Sequence, residues 1–338
     1  MPEDRKFYQH LDYLNSWKPE LDKKSYNKDV TKELRNSLNR NRSLKVLDCG
    51  TGTGMGLIRL IDEGILTRAE ITAFDIDPAL VQDIPRRFTE YANEKKLAYK
   101  ANYLAPDKFK LDLTNKNGIN ISVKGFSANL YTLTKEDTYH EKFDVITGQA
   151  FIEHVNHSLA YPLIKSMLKK NGLMYFSMNC DGWFNYSIPQ ADPVLDEKMI
   201  GLFNDLALNN QEFERVLGGE AFCGRNLPFR FQENNIAILA YGASDWVITP
   251  FKQSKNELNF IKYTLDYIFS RCHNSDPEAD KLRQLHDLDK DSIGRWYFDK
   301  LKAIQEGSIG FTCAQKDILG KKVITNGPKP KYQKQTKR

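Results

Sequence analysis

The sequence predicts an α/β protein with an open, mostly parallel sheet and helices on both of its faces. Three observations support this: short apolar segments alternate with helical ones from residue 44 onward, a glycine-rich turn joins the first segment to a helix, and the composition is that of a globular chain. Hydrophobic residues make up 41% and charged residues 28% of the 338 residues. Right-handed crossovers between parallel strands place the connecting helices on both faces.

Residues 1–43 precede this alternation and are polar and aromatic. Val30, Leu34 and Leu38 recur at helical spacing, so we expect amphipathic helices here. These helices are expected to lie over the following domain as an N-terminal helical cover.

The sequence predicts a β-α-β unit in the first half of the core, followed by a further helix, an insertion and a strand. Its expected elements are a strand at 44–47, a helix through 57–61 that stops at Gly64, a strand at 70–74, a helix at 79–96, a polar insertion at 97–118 and a strand at 119–124.

The second half continues the alternation and then adds a lid and a cap. Its expected elements are a strand at 143–147, a helix at 159–169 capped by Asn171-Gly172, a strand at 173–178, a helix at 196–209, a loop at Gly218-Gly219-Glu220, a β-hairpin of strands 236–241 and 246–249, and helices after Pro250. The predicted core therefore spans 44–250, with 181–232 as a lid. Residues 251–320 are expected to form a helical cap, and 321–338 a basic, disordered tail.

The charge is concentrated at the C-terminal end. The net charge is +5, but residues 321–338 hold seven Lys/Arg and no acid, which leaves 42 basic against 44 acidic residues elsewhere. A nucleic-acid partner is therefore not expected.

The cysteines and the apolar segments set further limits. The five cysteines lie far apart without a Cys-x-x-Cys pair, which disfavours a zinc site or a disulfide framework. No apolar stretch approaches the roughly 18 residues of a membrane span, and residues 1–6 lack a signal-peptide core. We expect a cytoplasmic protein without a membrane partner.

A glycine-rich turn follows the first expected strand, with the pattern Asp-x-Gly-x-Gly-x-Gly at 48–54. Such glycines let the backbone approach a ligand closely, and the next helix offers unpaired N–H groups. A dinucleotide fingerprint would need glycine where Met55 or Leu57 stands, and the Gly-Lys-Ser/Thr of a phosphate loop is absent. Asp75 ends the second strand, where a carboxylate can accept hydrogen bonds from both hydroxyls of a ribose.

With these motifs in place, the chain resembles the class I S-adenosylmethionine-dependent methyltransferases over about residues 40–250. The resemblance extends through 143–146, 168–174 and the hairpin, which matches the sixth and seventh strands of that family. It implies a Rossmann-like, seven-stranded sheet with an antiparallel last hairpin, and S-adenosylmethionine as cofactor with S-adenosylhomocysteine as product. Around the cofactor's amino-acid part it implies Asp48, Gly50, Thr51, Gly52 and Gly54.

The resemblance also implies contacts to the nucleoside. Asp75 would bind the ribose and Ile76 would flank the adenine. The family often has an acid after the third strand, whereas this chain has Gly125-Phe126-Ser127-Ala128-Asn129. Ser127, Asn129 or backbone groups near Ala128 would take its place, and Gln149 after the fourth strand is added to the cofactor residues.

His154 is the candidate general base, because imidazole titrates near neutral pH and the residue follows the fourth strand. The alternative is a packed helix residue that bonds a backbone group. The run 152–155 resembles the Glu-His-Val of quinone-biosynthesis O-methyltransferases, some of which bind a divalent metal. Gln149 stands where an acid would be expected, so no metal is predicted.

Candidate substrate-binding residues come from the N-terminal cover and the lid: Tyr13, Tyr26, Asp181, Trp183 and Arg225. The last three each have a structural alternative. Asp181 could shape a turn, Trp183 could belong to the core, and Arg225 could support the insert instead of clamping an acceptor carboxylate.

The acceptor class follows from what the sequence lacks. Asn/Asp-Pro-Pro-Tyr/Phe, usual for methylation of exocyclic base amines and glutamine, is replaced by Thr147-Gly148-Gln149-Ala150. With the insert and cap this predicts methyl transfer to an oxygen or nitrogen of a small molecule, by a monomer or homodimer. The alternatives are a protein or RNA methyltransferase and a non-catalytic cofactor-binding module.

Overall fold

The structure is a computed structural model that describes residues 11–133, 137–178, 180–208, 221–275 and 277–323. The predicted loop at 218–220, and the predicted tail beyond residue 323, lie outside the described residues.

The helices and strands are numbered in chain order. The helices are α1 Lys18–Ser25, α2 Lys28–Ser37, α3 Met55–Asp62, α4 Pro78–Lys95, α5 Leu130–Leu133, α6 His157–Met167, α7 Pro193–Leu208, α8 Cys223–Glu233, α9 Lys255–His273, α10 Pro277–Leu285 and α11 Lys290–Gln305; a π-helical turn, Tyr13–Trp17, precedes α1, and 3-10 turns lie at Asp137–Tyr139 and Ile152–His154. The strands are β1 Leu44–Cys49, β2 Arg68–Asp75, β3 Ala98–Ala105, β4 Lys108–Thr114, β5 Asn120–Ser127, β6 Phe143–Gln149, β7 Leu168–Met178, β8 Phe184–Ser187, β9 Ile236–Ala243, β10 Trp246–Ile248, β11 Gly310–Cys313 and β12 Lys316–Lys322.

The central sheet has the strand order β3-β4-β5-β2-β1-β6-β7-β12-β9. Its five middle strands, β5 to β7 in this order, run parallel, which confirms the predicted α/β class. The sheet has nine strands instead of seven, because residues 98–114 of the expected polar insertion form the antiparallel pair β3–β4 at its edge. Strand β12 is antiparallel to both β7 and β9.

The predicted hairpin of 236–241 and 246–249 is wrong. Strand β9 pairs with β12, whereas β10 joins a second sheet with the order β10-β11-β8. Burial of Trp246 accounts for this difference, because its ring packs in the core that the second sheet shares with the C-terminal helices. Its Nε1 donates to Asp22 Oδ1 at 2.9 Å. The predicted boundary between cap and tail, at residue 320, falls inside β12.

The turn before β7 also differs from the prediction. Helix α6 ends at Met167, and β7 begins at once with Leu168. Asn171 has a left-handed φ of 61°, but it lies in an irregular part of the β6–β7 pairing, where Leu168 pairs with Phe143 and Leu173 with Val145. The expected helix cap at Asn171-Gly172 is therefore a bulge at the start of the strand.

The first part of the predicted lid, residues 181–208, shares one hydrophobic core with the predicted cap, whereas Leu227 and Phe231 of its later part pack against the central sheet. Phe184 and Met199, from the segment after β7, pack with Phe260, Trp296 and Phe311 from the segment between β9 and β12. The second sheet joins both segments, since β8 pairs with β11. We call this unit, residues 180–208 and 244–315, the cap.

Helix α2 ties the N-terminal segment to the central sheet. Val30 and Leu34 are buried in the core of the sheet, and the Asn27 side chain caps the helix by accepting from Val30 N at 3.0 Å. The backbone N of Asn27 donates to Asp317 Oδ2 of β12 at 2.8 Å. The N-terminal segment is therefore held by the last strand of the sheet.

The position of β12 can be tested at Gly320. A Cβ there would lie 2.4 Å from Cγ2 of Ile236 and 2.6 Å from the Phe231 ring. We expect Gly320→Ala to lower the free energy of unfolding by about 1–3 kcal/mol through overpacking, measured by urea denaturation.

Gly294→Ala is the matched control. Gly294 lies inside α11, and a Cβ there meets no described heavy atom within 4 Å. Because alanine is a better helix former, this variant should be about 0.5–1 kcal/mol more stable. Equal stabilities of Gly320→Ala and the parent protein would contradict the packing of β12 between β7 and β9.

Candidate active site

The turn after β1 exposes backbone to a cavity. Gly50, Gly52 and Gly54 have φ values of 61°, 54° and 82°, in the left-handed region that glycine adopts without a steric cost. A Cβ on Gly52 would meet no described atom within 4 Å, so this part of the turn faces open space. A Cβ on Gly50 would instead lie 2.5 Å from the Phe151 ring.

The Asp75 carboxylate is held directly beside this turn. Its Oδ2 accepts from the backbone N of Gly52 at 2.8 Å, and its Oδ1 accepts from Asp77 N at 3.0 Å. The side chain is buried, and this burial raises the pKa of the carboxyl although both N–H donors oppose the rise.

Asp48 is a second buried carboxyl close to the first. Burial raises the pKa of Asp48 to about 7; the Asp75 charge adds to the rise and the Thr51 hydroxyl opposes it. Neither carboxyl forms an ion pair with a cationic side chain of the described residues, an arrangement that favours a positively charged ligand over a pyrophosphate.

A cavity of about 650 Å³ opens in front of these groups, between the central sheet, the N-terminal segment and the cap. This volume lies within the roughly 300–1,000 Å³ of typical small-molecule sites. Of the residues predicted to bind the cofactor, the cavity is lined by Asp48, Gly50, Thr51, Gly52, Asp75, Ile76, Ala128 and Gln149.

Gly54 and Ser127 do not line the cavity. Gly54 is the N-cap of α3, and a Cβ there would lie 3.1 Å from the Phe88 ring. The Ser127 hydroxyl donates to Ile76 O at 3.4 Å, so it contacts a residue of the cavity lining from outside that lining. Asn129, the alternative to Ser127, does line the cavity.

Gln149 is fixed at the end of β6 by contacts that the sequence analysis missed. Tyr26 Oη donates to Gln149 Oε1 at 2.5 Å, and the Arg59 guanidinium lies 3.6 Å from the centroid of the Tyr26 ring. Arg59 also donates to the Tyr175 hydroxyl at 3.0 Å. Gly56 leaves room for the amide, since a Cβ there would lie 2.5 Å from Gln149 Nε2.

His154 lies in the short 3-10 turn after β6 and lines the cavity. The side chain is half-buried, and its backbone N donates to Phe151 O at 3.0 Å. His157, the neighbouring histidine, is fully packed instead, with Nε2 at 2.9 Å from Ile152 O. Of these two, His154 is the one placed to meet a ligand.

The structure divides the predicted substrate-binding residues into two groups. Tyr13 and Tyr26 line the cavity, whereas Asp181, Trp183 and Arg225 lie outside its lining. The cavity is lined instead by three residues of α9 that the sequence analysis did not single out: Tyr263, Thr264 and Tyr267.

Asp181 and Arg225, both predicted to bind the substrate, bind each other. The backbone N of Arg225 donates to Asp181 Oδ1 at 3.0 Å, and its guanidinium reaches Asp181 O at 2.8 Å. The Asp181 side chain is buried, so the pair joins α8 to the end of β7. Trp183 is 45% exposed, and its carbonyl accepts from Ala314 N at 2.9 Å.

The described ranges of the chain contain no group of three or more His, Cys, Asp or Glu side chains placed to hold a metal ion. In the same part of the chain, no helix is both long and apolar enough to span a membrane.

A family model described as a methyltransferase domain matches residues 23–223, more than half of the chain. The match includes the glycine turn, Asp75 and His154. No curated protein matches the chain.

Solved structures of low sequence identity are similar to the chain. A candidate methyltransferase of Bacillus halodurans C-125 is 14% identical with a TM-score of 0.44, covering 88% of this chain and 100% of that one. A candidate sarcosine dimethylglycine methyltransferase from Galdieria sulphuraria is 13% identical with a TM-score of 0.40, covering 87% and 84%. Geranyl diphosphate C-methyltransferase from Streptomyces coelicolor A3(2) is 11% identical with a TM-score of 0.39, covering 87% and 75%.

The raised pKa of Asp48 predicts a pH-dependent penalty on folding. Because the folded pKa of about 7 exceeds an unfolded value of about 4, the contribution of Asp48 to stability becomes less favourable as pH rises from about 4 to 7 and changes little above that. Asp48→Asn removes this penalty. The variant should therefore have a higher free energy of unfolding than the parent protein, and this difference should grow between pH 5 and pH 8 to on the order of a few kcal/mol. Urea denaturation at both pH values measures it.

Asp299→Asn is the matched control, since Asp299 is exposed on α11 and pairs with no described residue. This variant should follow the parent protein at both pH values. A constant difference between Asp48→Asn and the parent would contradict the raised pKa.

Proposed function

The chain belongs to the methyltransferase-domain family and is a class I S-adenosylmethionine-dependent methyltransferase; from this premise we propose that it methylates an oxygen or nitrogen atom of a small molecule. The observation that carries the proposal is the cavity in front of Asp48 and Asp75, which reaches the N-terminal segment and the cap.

The residues present fit this cofactor. S-adenosylmethionine has an ammonium group, a sulfonium group and a ribose diol. The buried Asp48 and Asp75 carboxyls suit the cations and the diol, and Gly52 leaves a space that any side chain would fill. When bound, the cofactor supplies an electrophilic methyl group on sulfur.

The chain's own residues would hold the ligand in place and keep water out. Asp75 would accept hydrogen bonds from the ribose hydroxyls, while Ile76 and Ala128 would flank the adenine. Gln149, fixed by Tyr26, would complete the pocket at the end of β6. Such positioning is the main contribution of a protein to an in-line methyl transfer.

The position of the cavity favours a small acceptor over a macromolecule. Tyr13 and Tyr26 line it from the N-terminal side, and Tyr263 and Tyr267 line it from the cap. A ligand between these elements is covered by both, which suits a molecule that enters whole.

His154 is proposed to accept the proton that the acceptor atom loses. It lines the cavity from the 3-10 turn that follows β6, the strand that ends with Gln149. Residues 152–155 resemble a segment of quinone-biosynthesis O-methyltransferases, and the proposal takes from this resemblance only the position of the histidine.

Cofactor binding can be tested by calorimetric titration with S-adenosylhomocysteine. Gly52→Leu places a side chain in the open space of the turn, so we expect its affinity to fall by about 100-fold or more. Gly64→Leu is the matched control. Gly64 also has a left-handed φ, of 63°, and an open Cβ direction, but it does not line the cavity.

Gly64→Leu should therefore carry the same backbone strain and bind S-adenosylhomocysteine as the parent protein does. If the folded parent protein fails to bind S-adenosylhomocysteine, the cofactor assignment is wrong.

The proton-accepting role can be tested with methyl-labelled S-adenosylmethionine and fractionated metabolite extracts. His154→Gln should lower the labelling rate by about 100-fold or more, because glutamine cannot act as a base, while leaving the S-adenosylhomocysteine affinity within about twofold. His140→Gln, at an exposed histidine outside the cavity, serves as the control. Full turnover by His154→Gln would exclude this histidine as the base.

A further inference from the structure

Two of the five cysteines, Cys180 and Cys313, meet in the cap although they lie far apart in the sequence. Cys180 follows the end of β7, and Cys313 is the last residue of β11. Cys313 is buried in the hydrophobic core of the cap, and Cys180 packs against that core. Neither residue lines the cavity, so the proposed methyl transfer leaves both thiols unused.

The backbone brings the segments of the two cysteines together. Cys313 pairs with Phe184 across the antiparallel β8–β11 ladder. The next residue, Ala314, donates from its N to Trp183 O at 2.9 Å and accepts at its O from Asp181 N at 2.8 Å. These contacts place the segment after β7 directly against the end of β11.

The two thiols are hydrogen-bonded to each other, with Cys313 as the donor and the sulfur of Cys180 as the acceptor. The backbone N–H groups of Gly182 and Trp183 also donate to this sulfur. Cys180 Sγ lies 4.0 Å from Trp183 O, and Cys313 Sγ lies 3.9 Å from Ala314 O. The two sulfur atoms are therefore adjacent, as disulfide formation requires.

The two thiols differ in exposure and in acidity. Cys180 is part-exposed, whereas Cys313 is 3% exposed. The hydrogen bond from Cys313 lowers the pKa of Cys180, although burial opposes this effect. The same hydrogen bond, together with burial, raises the pKa of Cys313 well above its ordinary value. Cys180 is therefore the more reactive of the two, because the thiolate is the nucleophile and an oxidant can reach it.

The other three cysteines lack this combination. Cys49, Cys223 and Cys272 are fully buried. Burial raises the pKa of Cys49 well above its ordinary value and that of Cys272 to about 12. Cys223 Sγ lies 3.5 Å from His157 Nε2, inside the core on one face of the central sheet. Thiols buried in this way are inert toward oxidants that attack from solvent.

We propose that Cys180 and Cys313 form a reversible disulfide when hydrogen peroxide oxidises the folded protein. The Cys180 thiolate attacks one oxygen of the peroxide, the O–O bond breaks, and hydroxide leaves and takes a proton from solvent, so that Cys180 becomes a sulfenic acid. The Cys313 thiol then attacks this sulfur, the S–O bond breaks, and hydroxide leaves with the thiol proton as water. In total, two thiols and one peroxide give one disulfide and two waters, and the peroxide takes up the two electrons.

The bond would join the two stretches of chain that form the cap. In the reduced protein these stretches are held together by the β8–β11 pairing and by their shared core. A covalent link at their junction would oppose their separation. This inference is independent of the proposed function, because no step involves the cofactor or the acceptor.

The test uses the full chain, reduced, freed of reductant and treated with a small molar excess of hydrogen peroxide. Remaining thiols are alkylated under denaturing conditions at timed intervals, and tryptic peptides are analysed by mass spectrometry without reduction. Cys180 and Cys313 fall in separate tryptic peptides, 171–198 and 303–316, and neither peptide holds another cysteine. We expect these two peptides to appear joined, lighter than their sum by two hydrogen atoms, and dithiothreitol to restore both thiols.

Cys180 and Cys313 should lose their thiols at the same rate, at least about tenfold faster than Cys49, Cys223 and Cys272 in the same sample. Cys313→Ser keeps a hydroxyl donor beside Cys180 but removes the second thiol, so dimedone should trap the sulfenic acid of Cys180. Cys180→Ser should slow the oxidation of Cys313 by at least about tenfold.

Three outcomes would overturn the proposal. These are equal oxidation rates for all five cysteines, over-oxidation of Cys180 to a sulfinic acid without the joined peptides, and a disulfide that links Cys180 to another cysteine or to a second chain. The comparison of rates is made within the parent protein, so it stands even where a serine variant does not fold. Slow oxidation of the three buried cysteines shows in the same sample that the fold is intact.

Discussion

The burial of two carboxyl groups side by side, Asp48 and Asp75, is the constraint on which the site depends. Each lies at the end of a parallel strand, where β1 and β2 bring them to one edge of the sheet. Their pKa values are raised because burial disfavours the charged forms, so the folded protein bears a cost there. The backbone N–H of Gly52 offsets part of this cost, and a cationic ligand would offset more. The two buried carboxyls would therefore both attract a cationic ligand and lower the stability of the protein when no such ligand is bound.

The cavity is built from segments that are distant in sequence but share packing. The cap draws on two stretches of chain that meet in the β8–β11 pairing, and its helix α9 carries Tyr263 into the lining. The N-terminal segment is attached on both sides: Trp246 of the cap donates to Asp22, and Asp317 of the sheet accepts from Asn27. Cap and sheet therefore position the N-terminal wall of the cavity together.

The parts that the sequence predicted correctly are those set by neighbouring residues. The strand, turn and helix around Gly52 depend on local backbone geometry, and Asp75 follows from its place at the end of a strand. The hairpin failed because its turn signal is local, whereas β12 reaches β9 from across the cap. The pairing of Arg225 with Asp181 was missed for the same reason, because Asp181 lies 44 residues away. The cavity-lining tyrosines of α9 could not be identified because the packing of the cap decides which helix face meets the cavity.

The place of β12 between β7 and β9 has a consequence for synthesis on the ribosome. Residues 316–322 leave the exit tunnel after all the other strands that the structure describes, so until then the edges of β7 and β9 that pair with β12 are unpaired. Strand β9 carries no charged residue, and Ile238 and Tyr241 are part-exposed even in the finished protein. A nascent chain interrupted before Lys316 would expose two unpaired strand edges that are prone to aggregation. Such a chain would need chaperones to shield it or proteases to remove it.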